Sequence, residues 1–161
     1  MAGQPMRDGE LSLRGYQPAD AEGLRALFVE PEVKRWWPDE DYDRENGWVV
    51  EVDGGLAGWV QYEEEPYEWY PSVALDIALR AAMHGRGYGR RALRLAIEHF
   101  VERGHHRFTI DPNVDNERAI RSYAAVGFKP VGILRAHERR PEGGWGDSLL
   151  MDLIVLDGEW G

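Results

Sequence analysis

The stretch HGRGYGRRALR, residues 84–94, places three glycines at alternate positions directly before arginines and helix-forming residues. Glycine adopts backbone conformations that other residues avoid, which lets main-chain N–H groups approach a ligand. At the start of a helix those groups, with the positive end of the helix dipole, attract an anion. Arg86, Arg90 and Arg91 lie on this turn and can bind phosphate oxygens. The stretch predicts either an anion site or a helix start whose glycines serve tight packing.

Spacing excludes two common phosphate-binding motifs. The Walker loop requires G-x-x-x-x-G-K-[ST], which the chain does not contain. The dinucleotide fingerprint requires G-x-G-x-x-G early in a βαβ unit, whereas Gly85, Gly87 and Gly89 are spaced G-x-G-x-G in mid-chain. Neither nucleotide motif therefore explains the turn.

The periodicity of the rest of the chain predicts one mixed α/β domain over residues 1–161. Two strands joined at Asp53-Gly54-Gly55 form the clearest signal, a hairpin. VALDIALR (73–80) is expected to be a central strand that is buried on both faces. Further strands are expected at 10–16, 106–112, 128–135 and 147–155, and AHERRPEGGWG (136–146) should separate the last two.

Helices are expected on either side of this sheet, which should be mostly antiparallel. The first follows Asp20 as its N-cap and buries Leu24, Leu27 and Phe28. The second begins at the glycine turn and ends at Gly104. The third begins at Asp115/Asn116 and ends at Gly127. The predicted order is β-α-β-β-β-α-β-α-β-β.

Composition excludes several classes of function. A net charge of −10, from 19 basic and 29 acidic residues, repels nucleic acid and attracts cations. The chain has no cysteine, so thiolate metal sites and disulfides are excluded, and its five histidines show no H-E-x-x-H pattern. We therefore expect no metal. Because neither a signal peptide nor a membrane span is apparent, we expect a cytoplasmic protein.

The glycine turn and a later segment together resemble the Gcn5-related N-acetyltransferase (GNAT) superfamily. That family carries Gln/Arg-x-x-Gly-x-Gly/Ala and then Asn-x-x-Ala-x-x-x-Tyr-x-x-x-Gly-Phe. The matching residues here, with His84 where Gln or Arg is usual, are His84, Gly87, Gly89, Asn116, Ala119, Tyr123, Gly127 and Phe128. The resemblance implies the GNAT fold, a coenzyme-binding core at about residues 73–128, and acetyl-CoA as the acetyl donor.

The resemblance also implies roles for individual residues. Pantetheine would follow a strand edge, the pyrophosphate would bind a basic turn, and Tyr123 would protonate the coenzyme sulfur. The implied coenzyme-binding residues are Ile77, Ala78, Leu79, His84, Gly85, Arg86, Gly87, Tyr88, Gly89, Arg90, Arg91, Asn116, Ala119 and Tyr123. Taken alone, Tyr123 is also typical of a core aromatic residue on a helix.

Asp76 is unusual because it interrupts an apolar strand. A charge in such a position is costly unless it is paired or used. One interpretation is that its carboxylate accepts the proton of an incoming ammonium group, through water. The other is a salt bridge, for example to Arg80.

Several segments look like those of aminoglycoside 6′-N-acetyltransferases, namely VKRWWPDEDY, QYEEEPYEWYP, ALDIAL and TIDPNVDNERAIRSYAAVGF. The likeness implies that Trp36 or Trp37 flanks the acceptor. It also implies an acidic cleft made of Asp39, Glu40, Glu63, Glu64, Asp76 and Asp111. A polycationic amino sugar fits such a cleft, although a tryptophan pair can be core and a glutamate run can be a solvated loop.

Three alternatives to an aminoglycoside acceptor remain at this point. The enzyme could acetylate a protein N-terminus, as ribosomal-protein acetyltransferases do, or a siderophore or polyamine amine. The domain could also bind acyl-CoA as a sensor without turnover. Because dimers are frequent in the family, a homodimer is also an expectation.

Overall fold

The structure is a computed structural model that describes residues 3–39 and 41–160. Short strands β1 (Met6–Asp8) and β2 (Leu11–Arg14) precede helices α1 (Ala21–Phe28) and α2 (Pro31–Lys34). The chain continues through β3 (Gly47–Val52), β4 (Gly55–Glu65), β5 (Ser72–Leu79), α3 (Tyr88–Val101), β6 (Arg107–Ile110), α4 (Glu117–Val126), β7 (Lys129–Arg139), β8 (Trp145–Leu156) and β9 (Glu159–Trp160). The predicted mixed α/β fold is confirmed, with β1 and β9 as additional short strands.

The described residues form two compact units. The first unit contains the residues up to Glu63 and Leu75–His99, and the second contains Glu64–Ala74 and the residues from Phe100 onward. In the first unit, β1, β2, β3 and β4 pair in this order, each antiparallel to the next. In the second unit, the start of β5 pairs in parallel with β6, while β6 and β7 flank β8 antiparallel to it, and β9 also pairs with β8.

The hairpin between β3 and β4 turns at Asp53 and Gly54, with φ of 51° and 80°. Positive φ at both central residues is the signature of a type I′ turn, whose twist matches that of the flanking strands. The predicted hairpin is therefore confirmed.

Helix α1 packs as its periodicity predicts, with Leu24, Leu27 and Phe28 buried. Asp20 occupies the N-cap position, but its side chain makes no capping hydrogen bond. Instead both carboxylate oxygens accept hydrogen bonds from Arg14, at 2.7 and 2.8 Å. Asp20 is therefore the N-cap by position, as predicted, but its carboxylate binds Arg14 of β2 and the Gln17 amide instead of the first turn of α1.

Helix α4 begins and ends as predicted. Asn116 is the N-cap, and its side-chain oxygen accepts a hydrogen bond from the Ala119 amide at 3.3 Å. Gly127 terminates the helix with φ of 128°, a conformation that favours glycine. The helix buries Tyr123 and Val126.

Two strand expectations need correction. β5 is not buried on both faces, because Asp76 is exposed and Ala74 and Ile77 are partly exposed. The polar segment 136–146 is not all loop, because β7 continues to Arg139 and β8 begins at Trp145. β7 is largely exposed, and its residues 136–139 are mostly polar and show no apolar alternation that would predict a strand.

Among the described helices, none combines the length and apolar character needed to cross a membrane.

Candidate active site

The glycine turn lies between β5 and α3, and its residues belong to the first unit. Gly85 and Gly87 have φ of +75° and +78°. A Cβ on Gly85 would meet no atom within 4 Å, and the nearest atom to one on Gly87 would be Arg90 Nη2 at 3.7 Å. These glycines therefore serve backbone conformation rather than tight packing. Such a turn, followed by the first turn of a helix, points main-chain N–H groups at a common anion.

The three arginines of the turn differ in their contacts. The guanidinium of Arg91 donates to Asp8 Oδ2 at 2.7 Å and to Glu10 Oε1 at 2.8 Å. The hydrogen bond from Arg91 lowers the pKa of the Glu10 carboxyl to about 2. Arg86 and Arg90 are exposed on the same turn. Arg91 thus anchors the start of α3 to the β1–β2 hairpin, and Arg86 and Arg90 remain the candidates for a ligand's phosphate oxygens.

His84 connects the turn to the strand before it. Its Nε2 lies 2.9 Å from the carbonyl oxygen of Leu79, so the ring donates an Nε2–H bond to the end of β5. The histidine therefore holds the chain where it leaves β5, next to the residues expected to bind pantetheine.

The end of β5 packs closely against β4. A Cβ on Gly58 of β4 would overlap the carbonyl oxygen of Ala78 and lie 2.6 Å from Leu79 Cδ2. The amide of Arg80 donates to Ala57 O at 2.9 Å, and its Nε donates to Leu56 O at 2.8 Å. β5 pairs with β6 at Val73 and Ala74, which precede the predicted site residues Asp76–Leu79. Asp76 is exposed on this part of the strand.

The predicted acceptor residues of the first unit differ in their surroundings. Trp37 packs edge-to-face on Phe28 at 5.1 Å between ring centroids, and its Nε1 donates to Asp41 O at 2.8 Å. Trp36 is partly exposed, and the guanidinium carbon of Arg35 lies 4.6 Å from the centroid of the Trp36 ring. Trp37 therefore has a packing role. Asp39 and Glu63 are exposed, and Glu40 lies outside the described residues.

The second unit carries Tyr123, Asn116 and Ala119 on α4. Tyr123 is 9% exposed and packs edge-to-face on Phe128, with ring centroids 6.4 Å apart. Tyr123 therefore matches the family's tyrosine and is also part of the protein core. Asn116 uses its side chain to cap the helix through the amide of Ala119.

Glu64 and Asp111, also in the second unit, each face a histidine. Glu64 Oε2 lies 2.6 Å from His105 Nε2. His105 is buried, and among the described residues its Nδ1 has no hydrogen-bond partner. Asp111 Oδ2 lies 4.0 Å from His137 Nε2. Burial raises the pKa of the Asp111 carboxyl, and the nearby His137 opposes this shift.

Several residues of interest were not predicted as site residues. Gly58 had a usable signal, because glycine inside a strand often marks a close backbone approach. Tyr67, Trp69 and Tyr70 are 56%, 74% and 77% exposed on the β4–β5 loop, and the rings of Tyr67 and Tyr70 stack at 5.9 Å. His105 and His137 had no sequence signal, because their partners are distant in the chain.

The described residues include no group of three or more His, Asp or Glu side chains that could hold a metal ion.

Comparison with known proteins identifies relatives for this arrangement. Residues 16–128 match the acetyltransferase (GNAT) family. The N-alpha-acetyltransferase RimI of Mycobacterium tuberculosis is 30% identical over 146 residues, which cover 84% of this chain and 86% of that protein. The streptothricin acetyltransferase of Streptomyces lavendulae is 26% identical over 126 residues, which cover 71% of this chain and 66% of that protein.

A solved structure has the same fold. The ribosomal alpha-N-protein acetyltransferase RimL, in complex with coenzyme A, superimposes with a TM-score of 0.83 at 18% identity. The match covers 97% of this chain and all of that one.

Proposed function

The chain belongs to the acetyltransferase (GNAT) family, and on that premise we propose that it acetylates the α-amino group of a basic peptide or protein N-terminus. It is an N-acetyltransferase that uses acetyl-CoA. The observation that carries the acceptor class is the 30% identity with RimI, over most of both chains. This proposal replaces the aminoglycoside as the first candidate acceptor.

The turn at residues 84–91 fits the coenzyme's diphosphate. Gly85 and Gly87 leave space above the backbone, and exposed Arg86 and Arg90 supply positive charge. Acetyl-CoA supplies an acetyl group activated as a thioester. The binding-only alternative is less well supported, because the relatives are named as acetyltransferases.

Two residues of this chain would move protons during the reaction. Asp76, exposed on β5, would accept a proton from the acceptor ammonium, directly or through water. Tyr123 would donate its phenolic proton to the departing sulfur. The Tyr123 assignment follows from its family position, and the Asp76 assignment follows from its exposed carboxylate next to the candidate coenzyme-binding residues Ile77, Ala78 and Leu79.

The charge and surface of the chain suit a cationic acceptor. The net charge of −10 attracts cations over long range. The β4–β5 loop exposes Tyr67, Trp69 and Tyr70 beside Glu65 and Glu68. Aromatic faces and carboxylates together bind ammonium groups that are attached to apolar carbon.

A second candidate acceptor is the amine of a cationic antibiotic. The 26% identity with streptothricin acetyltransferase favours it, and so do the segments that look like aminoglycoside 6′-N-acetyltransferases. In this case Trp36 and the carboxylates Asp39, Glu63 and Asp76 would contact the acceptor.

Release of coenzyme A thiol tests the acceptor class. Because the chain contains no cysteine, a thiol reagent reports the coenzyme without background from the protein. The panel contains basic peptides with free α-amino groups, the same peptides blocked at that group, streptothricin, kanamycin, tobramycin and spermidine. We expect thiol release with the free peptides and none with the blocked ones, and mass spectrometry should locate the acetyl group on the α-nitrogen. Release with an antibiotic but with no peptide would replace our proposal by the second candidate.

A further inference from the structure

Asp111, His137 and Ser148 form a connected group in the second unit that the reaction described above does not use. His137 Nδ1 lies 3.0 Å from Ser148 Oγ, and its Nε2 lies 4.0 Å from Asp111 Oδ2. Ser148 is 1% exposed, while His137 and Asp111 have side chains that are 45% and 40% exposed. Ser148 therefore holds the His137 ring from the protein interior, and the Asp111 carboxylate is partly buried and partly exposed to solvent.

The backbone next to His137 is irregular. The β7–β8 register shifts between Leu134 and Glu138, which marks an irregularity of the β-bulge type. Within it, Ala136 has φ of +49°, a strained conformation for a residue other than glycine. Asp147 Oδ1 holds this conformation by accepting the Ala136 amide at 2.8 Å. Bulges that redirect a side chain are frequent next to functional sites.

The backbone after Asp111 is fixed as well. Pro112 O accepts the Leu149 amide at 2.8 Å, and the Val114 amide donates to Asp147 O at 3.0 Å. Both partners belong to β8, the strand that carries Ser148. The Asp111 and His137 side chains are thus positioned by the same strand.

We propose that His137 is a positioning residue for Asp111: it directs the Asp111 carboxylate and keeps it ionised so that it binds the acceptor's ammonium group. The proposal rests on the proposed function for the identity of the acceptor, but not for the pairing itself. Nδ1 is occupied by Ser148, so Nε2 is the ring atom that faces the carboxylate. The charged residues next to His137 in the chain are Arg135, Glu138 and Arg139 on β7, and Asp147 of β8 accepts the neighbouring Ala136 amide.

The pairing can be measured without any acceptor. The side-chain ¹³C signal of Asp111 is followed against pH in the wild-type protein, His137→Gln and His137→Arg. Because the protonated ring favours the ionised carboxyl, we expect the Asp111 midpoint to rise by about one pH unit in His137→Gln and to return toward the wild-type value in His137→Arg. His106→Gln, a histidine variant in the same unit, is the matched control and should leave the midpoint unchanged. An unchanged midpoint in His137→Gln would overturn the proposal.

A kinetic measurement then tests the consequence for binding. With an acceptor found in the panel, His137→Gln should raise the acceptor KM about tenfold at acidic pH, while kcat changes less than twofold. His137→Arg should restore the wild-type KM. Equal losses in kcat at every pH would contradict a positioning role. If no acceptor is found, the proposed function fails while the ¹³C titration still decides the pairing.

Discussion

Gly58 lies so close to the backbone of Ala78 that a Cβ at position 58 would overlap the Ala78 carbonyl oxygen. This contact joins β4 to the part of β5 that carries the candidate coenzyme-binding residues. Gly58→Ala should lower the free energy of unfolding by about 1–3 kcal/mol, because the two strands must separate to admit the methyl group. It should also weaken coenzyme binding. Urea unfolding and calorimetric titration with coenzyme A measure the two effects.

Gly132→Ala is the matched control for Gly58→Ala. Gly132 lies in β7, and a Cβ there would meet nothing within 4 Å. Its replacement should change stability by less than about 0.5 kcal/mol. Equal stability of the Gly58 and Gly132 variants would contradict the close approach of β4 and β5.

Arg91→Ala should make the stability of the protein depend less steeply on pH in the acidic range. Arg91 lowers the pKa of Glu10 from 4.5 to about 2 in the folded protein. A carboxyl with a lowered folded pKa contributes stability above its unfolded pKa, and this contribution disappears as pH falls through the folded value. Melting temperatures of the wild type should therefore fall more steeply than those of Arg91→Ala between pH 4.5 and pH 2. Parallel profiles would show that the pair contributes no pH-dependent stability.

Gly87→Trp should abolish coenzyme binding while the protein stays folded. Position 87 has φ of +78° on the turn, so a large L-residue both strains the backbone and fills the space above the amides. Calorimetric titration with coenzyme A gives the affinity, and circular dichroism reports the fold. Wild-type affinity in Gly87→Trp would rule out the turn as the coenzyme site.

Arg86→Ala and Arg90→Ala should each weaken coenzyme binding about tenfold, and the effect should be larger at low salt.

Asp76→Asn should reduce turnover far more than coenzyme affinity. Asparagine keeps the size and exposure of the side chain but cannot accept the ammonium proton, so kcat should fall about 100-fold. Steady-state kinetics and coenzyme titration on the same preparation separate the two quantities. Turnover within a factor of two of the wild type would assign Asp76 a structural role.

Tyr123→Phe removes one hydroxyl from a side chain that is 9% exposed and packs on Phe128. The ring contact is retained, so we expect the melting temperature to change little and kcat to fall about 100-fold. A large loss of stability without a matching loss of kcat would identify Tyr123 as a core residue only.

The sequence is informative about this fold where the signal is local. The Asp53-Gly54 hairpin, the Asn116 cap and the Gly127 helix end each depend on residues within four positions of one another, and all three were predicted. The apolar face of α1 was predicted for the same reason. The acetyltransferase family was recognised from two motifs in fixed order.

The sequence is less informative where a side chain is bound by a residue of another element. Asp20 takes the predicted N-cap position, but its carboxylate binds Arg14 of β2 instead of the amides of α1. Arg91 is a predicted phosphate contact, and its pairing with Asp8 and Glu10, about 80 residues earlier, has no local signal. The positive φ of Ala136, next to His137, is held by Asp147 and cannot be predicted from periodicity.

The pairing of Arg91 with Asp8 and Glu10 has a practical consequence for experiments on this protein. A label or substitution on the β1–β2 hairpin lies next to the carboxylates that hold the start of α3. A disturbance there would be transmitted to the candidate coenzyme turn and would imitate a defect in catalysis. Labels for kinetic work should therefore be placed away from Asp8 and Glu10.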